Sequence, residues 1–452
     1  MFYDKNTEGV CSLFLTKNFK IMPLNIPDPA YKRVVIIGGG FAGLTLAQKL
    51  ADTAYQVILI DKNNYHQFQP LFYQVAMAGL EPSSIVFPFR KVFQKTENVL
   101  FRIAELQEVQ PTEKYILTNE GRLKYDYLVI SLGADTNFYG NEKMMNSTIP
   151  MKSVAEALFL RNAILSDYEK ALLVDNEAEK EGLMDLVIVG GGATGVEIAG
   201  ALAEMRKNVM PKEYKELNYK DIDITLIHGG DRLLNGMSEN ASKAALDYLT
   251  KMDIKIKMDI NVTDYDGETV TCSDGSTLKA KKVIWAAGIV GNPVNGLPKE
   301  AFERGRRIKV NRRNEVEGFE GIFAIGDIAY MEEGEKFKMG HPQVAQVAIQ
   351  MAKNVANNLK AVVKNKPSLD FKYRDLGSMA TIGRNKAVVD LPFWHFQGVF
   401  AWFMWLFVHL FSIVGLKNKV FVFINWVWSY ITYDQALRLI IRPRIKNRTN
   451  DV

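Results

Sequence analysis

A chain of 452 residues is too long for a single hydrophobic core and must divide into two or three domains. Its 48% hydrophobic and 24% charged residues exclude both a disordered and a multi-spanning protein. The net charge of +5 sits entirely at the C-terminal end, where Gln397–Val452 holds seven Lys/Arg against two Asp/Glu. That placement suits an anionic membrane surface; no basic stripe in the body speaks for nucleic acid.

Residues 1–30 mix charges with short apolar runs, lack a signal-peptide core and read as a tail. The two cysteines, Cys11 and Cys272, form neither a metal spacing nor a disulfide framework, which points to a reducing compartment.

The stretch "KRVVIIGGGFAGLTLAQKL" reads as an apolar strand, a glycine turn and a helix. Gly38, Gly40 and Gly43 have the G-x-G-x-x-G spacing, with Phe41 and Ala42 inside it. The first glycine permits the turn, the second lets backbone approach a pyrophosphate, and the third packs helix on strand. The positive end of the helix dipole then faces the phosphates. The next strand, "QVILI", ends at Asp61-Lys62, where a carboxylate can accept from a ribose.

The pattern recurs in "DLVIVGGGATGVEIAGALAEM" with Gly190, Gly192 and Gly195, and Thr194 in the turn, so two dinucleotide domains are expected. Its following strand departs from rule: His228 stands at the acidic position. A neutral imidazole can bond a ribose hydroxyl but does not repel a 2′-phosphate, and Arg232 lies close enough in sequence to attract one. NADH is favoured, with NADPH possible. "YDYLVISLGADT" and "KKVIWAAGIVGN" are strands breaking at Gly133 and Gly288, "TVTCSDGSTLKAKKV" reads as a hairpin, and "EGIFAIGDIAY" ends in Gly326-Asp327.

Farther on, "HPQVAQVAIQ" puts Gln346 and Gln350 on one helix face, with the small Ala345 and Ala348 leaving room for a flat ring. The neutral amides can donate to carbonyls. "GVFAWFMWLFVHLFSIVGL", Gly398–Leu416, is nineteen residues without a charge, six of them Phe or Trp. At 1.5 Å each they would reach roughly 28 Å, enough in principle to span. Aromatics along the whole segment, Lys417 and Lys419 directly after it, and a following apolar run too short to return favour helices lying in the headgroup region.

Two fingerprints followed by Gly326-Asp327 resemble the two-dinucleotide flavoproteins, in which that Asp reaches the ribityl chain of FAD. With "NYHQFQPLFYQVAMAGLEPSSIVFPFR" (Asn64–Arg90), "AQVAIQ" and the aromatic end, the chain resembles the type II NADH:quinone oxidoreductases from about Lys32 to Arg442. The resemblance implies two Rossmann-type α/β domains. It divides the chain into a tail (1–30), an FAD domain in two parts (31–150 and 296–390), an inserted NAD(P)H domain (151–295) and membrane-binding, dimerising helices (391–452). It implies FAD and NADH as cofactors, a membrane quinone as acceptor, hydride transfer from NADH to FAD, two-electron transfer to quinone, and no proton pumping. It places Gln346 and Gln350 beside flavin and quinone, Glu197 near the nicotinamide, and the stretch Asn64–Arg90, with Tyr73 among its contacts, along the flavin and quinone pocket; Arg384 and Lys386 are candidates for electrostatic support of reduced flavin. A homodimer attached peripherally to the cytoplasmic (or matrix) face of the membrane is the implied form. No C-x-x-x-x-C pair follows Gly43, and neither cysteine suits sulfide chemistry. The alternatives are an NAD(P)H reductase of the ferredoxin-reductase type with a soluble acceptor, against which the aromatic end argues, and a flavoprotein scaffold that binds partners.

Overall fold

In the computed structural model, which describes residues 24–432 and 437–441, both glycine-terminated strands become the centres of five-stranded parallel sheets. Cys11, most of the expected tail, and the basic end from residue 442 onward lie outside the described residues.

The first sheet runs Ile322–Ala324, Tyr127–Ile130, Arg33–Ile37, Gln56–Asp61, Val99–Ile103. Its strands are near-continuous runs of Val, Ile and Leu because both faces are covered. The edge strand Ile322–Ala324 comes from far down the chain, which makes this domain discontinuous. Residues 24–27 are no tail: Leu24 is buried and donates to Arg122 O at 2.9 Å, while Pro27 O accepts from Arg33 Nη2 at 2.9 Å. Backbone laid against a folded surface needs such partners.

The second sheet runs Ile149–Pro150, Lys282–Trp285, Leu186–Val189, Ile224–Ile227, Lys255–Lys257, again all parallel. Ile149–Pro150 therefore pairs within it just before the expected boundary at 151. The chain leaves and re-enters the first domain through one antiparallel pair, Ala134–Thr136 with Ile289–Gly291. Cys272 is buried in the expected hairpin, Thr269–Cys272 with Thr277–Lys279.

An antiparallel sheet follows, Ser378–Thr381, Ala387–Leu391 and Trp394–Gln397, and it runs across the expected boundary at 390. The helix Ala193–Asn208 lies close on it, since a Cβ at Gly200 would meet Ile382 O at 2.6 Å. The aromatic run then breaks. Gly415 has φ +87° and its Cβ would stand 2.3 Å from the Phe87 ring, so only glycine makes this turn. Two helices result, Val399–Ser412 and Leu416–Thr432, and among the described residues no helix is long and apolar enough to cross a membrane. Ala401, Trp405 and Val422 face inward, while Phe403, Phe407, Phe421, Ile424 and Trp428 face outward. Asn418, one polar residue on the inner side of the last helix, gives its amide to Val86 O at 2.9 Å and Ser83 O at 3.4 Å.

Candidate functional site

The first glycine turn is built by exclusion. A Cβ at Gly38 (φ +96°) would stand 2.4 Å from Ser131 O, and one at Gly43 would stand 1.8 Å from Gly38 O. Gly40, in contrast, has nothing within 4 Å of that position. The turn is thus closed on its protein side and open in front of the helix Phe41–Leu50, which is the cradle a pyrophosphate requires. Asp61 caps it: Oδ2 accepts from Gly39 N at 2.6 Å and Oδ1 from Asn63 N at 2.7 Å. The carboxylate expected at a ribose therefore first holds the turn, while Lys62 is exposed beside it. Two residues not singled out from sequence complete this wall. Ser131 Oγ donates to Gly38 O at 2.8 Å, and buried His66 Nδ1 donates to Gly39 O at 3.0 Å, its ring edge-on to Phe41.

The second turn repeats the construction. Gly190 (φ +116°) lies against Ala286 O, Gly195 against Gly190 O, and Gly192 is open. His228 does here what Asp61 does in the first turn, accepting from Gly191 N through Nδ1 at 3.1 Å. Because that nitrogen accepts, the ring proton is on Nε2, which is buried without a partner among the described residues. Arg232 Nη2 donates to Asn235 O at 2.9 Å, and Thr194 is exposed in the first turn of the helix. Gly133 (φ +68°) and Gly288 (φ +129°) flank the crossing between domains.

Gly326-Asp327 arrives beside the first turn as expected. A Cβ at Gly326 would stand 3.3 Å from both Ala42 Cβ and Ala348 Cβ, so this glycine lets the helices Phe41–Leu50 and Ala345–Val363 close on the turn. Ala348 belongs to that seam and does not present a platform for a ring; Ala345 is half-buried at the helix start. Burial raises the Asp327 carboxyl against the pull of Lys152 and Arg307.

The two glutamines differ from expectation. Gln346 Nε2 donates to Gly377 O and its Oε1 accepts from Leu376 N, both at 3.0 Å. Gln350 pairs likewise with Arg374 O at 2.9 Å and Arg374 N at 3.0 Å. Each amide clamps the backbone of residues 374–377, which leads into the C-terminal sheet, and keeps one N–H for anything else.

A second centre forms where the helix Ala193–Asn208 meets the 381–384 loop and the C-terminal helices. Its cavity, about 130 Å³, is close to the roughly 150 Å³ that admits a benzene ring. Tyr73, Gln74, Glu197, Glu204, Arg384 and Trp426 are among its walls. Burial pushes the Glu197 carboxyl up to about 8, against smaller pulls from Thr381 N, 3.4 Å away, and from Trp405. The Trp405 indole N–H faces that carboxyl without reaching hydrogen-bond geometry. Glu204, two turns along the same helix, is also raised by burial and accepts from Arg384 N. Arg384 does not stand alone: its guanidinium lies 4.0 Å over the Tyr430 ring, and with Lys386 it pulls on Glu204. His409, passed over in the aromatic run, stacks on Trp405 at 3.9 Å and donates from Nδ1 to Trp405 O at 2.7 Å. Burial pushes it down to about 4, so its ring is neutral.

Comparison with known proteins agrees with this construction. The profile of the pyridine nucleotide-disulphide oxidoreductases matches residues 32–352, and that of the NDH2 C-terminal domain matches residues 376–432. The type II NADH:quinone oxidoreductase Ndh of Mycobacterium tuberculosis is 32% identical over 419 residues, 89% of each chain. The internal alternative NAD(P)H-ubiquinone oxidoreductase A1 of Arabidopsis thaliana mitochondria is 26% identical over 438 residues, 88% of this chain and 84% of that protein. In fold, the chain is similar to NDH2 of Plasmodium falciparum solved with NADH, with a TM-score of 0.82 at 22% identity over 91% of this chain and 100% of that one.

Proposed function

The chain belongs to the type II NADH:quinone oxidoreductases, and from that premise we propose that it oxidises NADH and reduces a quinone dissolved in the bilayer, with FAD held between the two. The observation that carries the acceptor side is a wall shared by two cavities. An apolar groove of about 660 Å³ lies between the two C-terminal helices, and its walls Trp402, Leu406, Trp426 and Tyr430 are also walls of the polar cavity at Glu197. A lipid-dissolved molecule entering the groove would thus meet side chains that also border the cavity holding the carboxyls.

Bound FAD supplies the two-electron chemistry that links a hydride donor to a quinone. Gly38, Gly40 and Gly43 would cradle its pyrophosphate, Asp61 and His66 hold that turn in place, and Asp327, Ala345 and Gln346 would hold the rest of the molecule. Gly190, Gly192, Gly195 and Thr194 do the same for NADH, with His228 holding that turn through Gly191 N as Asp61 holds the first. Glu197, protonated at neutral pH, offers an O–H to the cavity and holds a proton there. Trp405, edge-on to Tyr73, and the stacked His409 back the wall of that cavity. Gln350, clamped on residue 374, acts through the linking segment.

The outward aromatic faces and the basic excess after Gln397 support attachment to a lipid surface as a peripheral protein on the cytoplasmic (or matrix) face. A homodimer belongs to the same reading, and the mass of the detergent-extracted protein tests it. Turnover of NADH with a short-chain quinone, compared with NADPH and with ferricyanide, tests the function. Activity with ferricyanide alone would favour a soluble acceptor. Removal of the chain after about Pro392, which also takes away the buried Ala401, Trp405 and Val422, should give a protein that either leaves the membrane or misfolds, and labelling of Lys417 only from the opposite side of sealed vesicles would overturn peripheral attachment.

A further inference from the structure

The cavity wall contains a directed chain of hydrogen bonds that crosses from the last helix to the first domain. Trp426 Nε1–H, which can only donate, gives to Gln74 Oε1 at 2.8 Å. With its oxygen so engaged, the Gln74 amide turns its Nε2 the other way and donates to Tyr73 Oη at 2.8 Å. Tyr73 Oη is then an acceptor from Gln74, and its own proton must point elsewhere. No described residue receives it. The phenol is buried, its ring fixed edge-on to Trp405 at 6.2 Å, and burial together with the neighbouring Glu197 keeps it protonated far above neutral pH. Among the walls of the cavity, an O–H of set direction remains.

We propose that Tyr73 donates this hydrogen bond to a carbonyl of the quinone, and that Gln74 and Trp426 are positioning residues that set its direction. The proposal rests on the reading of this cavity as the quinone pocket. Trp426 lies on the helix whose neighbours Val427 and Ile431 face outward, so the seating of that helix and the aim of the Tyr73 O–H are a single arrangement. A helix displaced from its seat loses the Trp426 donor, and the Gln74 amide is then free to turn over.

Gln74→Glu tests this most sharply at about pH 8, because a carboxylate keeps the bond from Trp426 but now also accepts from Tyr73, turning the O–H away from the cavity. In the full-length, FAD-loaded protein in detergent, Tyr73→Phe and Gln74→Glu should each raise the KM for a short-chain benzoquinone by about tenfold, the worth of one hydrogen bond in a desolvated site. The affinity of the oxidised protein for the same benzoquinone, measured by calorimetry, should fall in parallel, with the KM for NADH moving less than about twofold. Trp426→Phe should raise the KM about threefold, and Trp426→Phe combined with Tyr73→Phe should be no worse than Tyr73→Phe alone. Multiplying effects in that pair, or a Gln74→Glu protein with native benzoquinone affinity beside a defective Tyr73→Phe protein, would overturn the positioning chain while leaving the pocket in place. A Tyr73→Phe protein with unchanged KM and affinity would instead remove the quinone from this cavity altogether.

Discussion

Replacing Glu197 by Gln keeps the side chain's shape and removes its titration. Folded, the carboxyl titrates at about 8, against 4.5 for an unperturbed glutamate. The raised value fixes the sign. The folded protein binds the proton more tightly, so this stabilisation is fully present below about pH 4.5 and is lost as pH rises through about 8. At about 1.36 kcal/mol per pKa unit the complete loss approaches 5 kcal/mol, an upper limit because dipoles and water relax around a buried charge. The glutamine protein carries no such loss. Its thermal midpoint should gain on that of the parent by about 1.5 °C for each pH unit between about 5 and 8, if the whole chain unfolds as one unit. Scanning both proteins at a fixed excess of FAD from about pH 5 to about pH 9 gives the comparison. Midpoints that run parallel over that range would mean that the carboxyl is freely hydrated, and that Glu197 holds no proton for the cavity at neutral pH.

Three further outcomes are expected. Gly40→Val, at an open position, should fold with a native thermal midpoint yet bind FAD at least about tenfold more weakly, whereas Gly43→Ala, whose Cβ would meet Gly38 O at 1.8 Å, should lose folded protein before it loses ligand; equal FAD loss at equal stability would contradict the distinction. His228→Glu should raise the NADH:NADPH ratio of kcat/KM by about tenfold through repulsion of the 2′-phosphate, and an unchanged ratio would place the residue away from the ribose. Gln350→Ala should speed hydrogen exchange at the Arg374 amide by about tenfold, with protection elsewhere in the helix Ala345–Val363 kept; unaltered exchange would mean that the clamp holds nothing.

What was legible in the sequence is what short spacing determines. A glycine fingerprint places its own strand, turn and helix, and so Gly38, Gly40 and Gly43 could be assigned without a structure. The hairpin at Cys272 and the arrival of Gly326-Asp327 also follow from local pattern and order. The second centre was only half visible. Tyr73 and Glu197 were singled out, but the bond from Trp426 to Gln74 joins residues 352 positions apart, and no periodicity encodes it. That the glutamine amides donate to carbonyls was legible, but not that Gly377 O and Arg374 O receive them, because a helix face says nothing of an extended segment lying across it. Gly415 was the missed signal. Inside nineteen uncharged residues it looked incidental, although a glycine between two apolar runs is the ordinary mark of a helix end.

Asn418 has a consequence for how the last helix sits in its surroundings. The helix Leu416–Thr432 has large apolar residues on both its buried and its exposed sides, so the hydrophobic effect, which is non-directional, fixes its rotation less sharply than directed bonds do. Turning one amide into lipid without partners would cost several kcal/mol, and only one rotation brings that amide to Val86 O and Ser83 O. Asn418, together with the Trp426 bond to Gln74, thus sets the angular phase of the helix, and through it decides which side of it faces outward and which meets the rest of the fold.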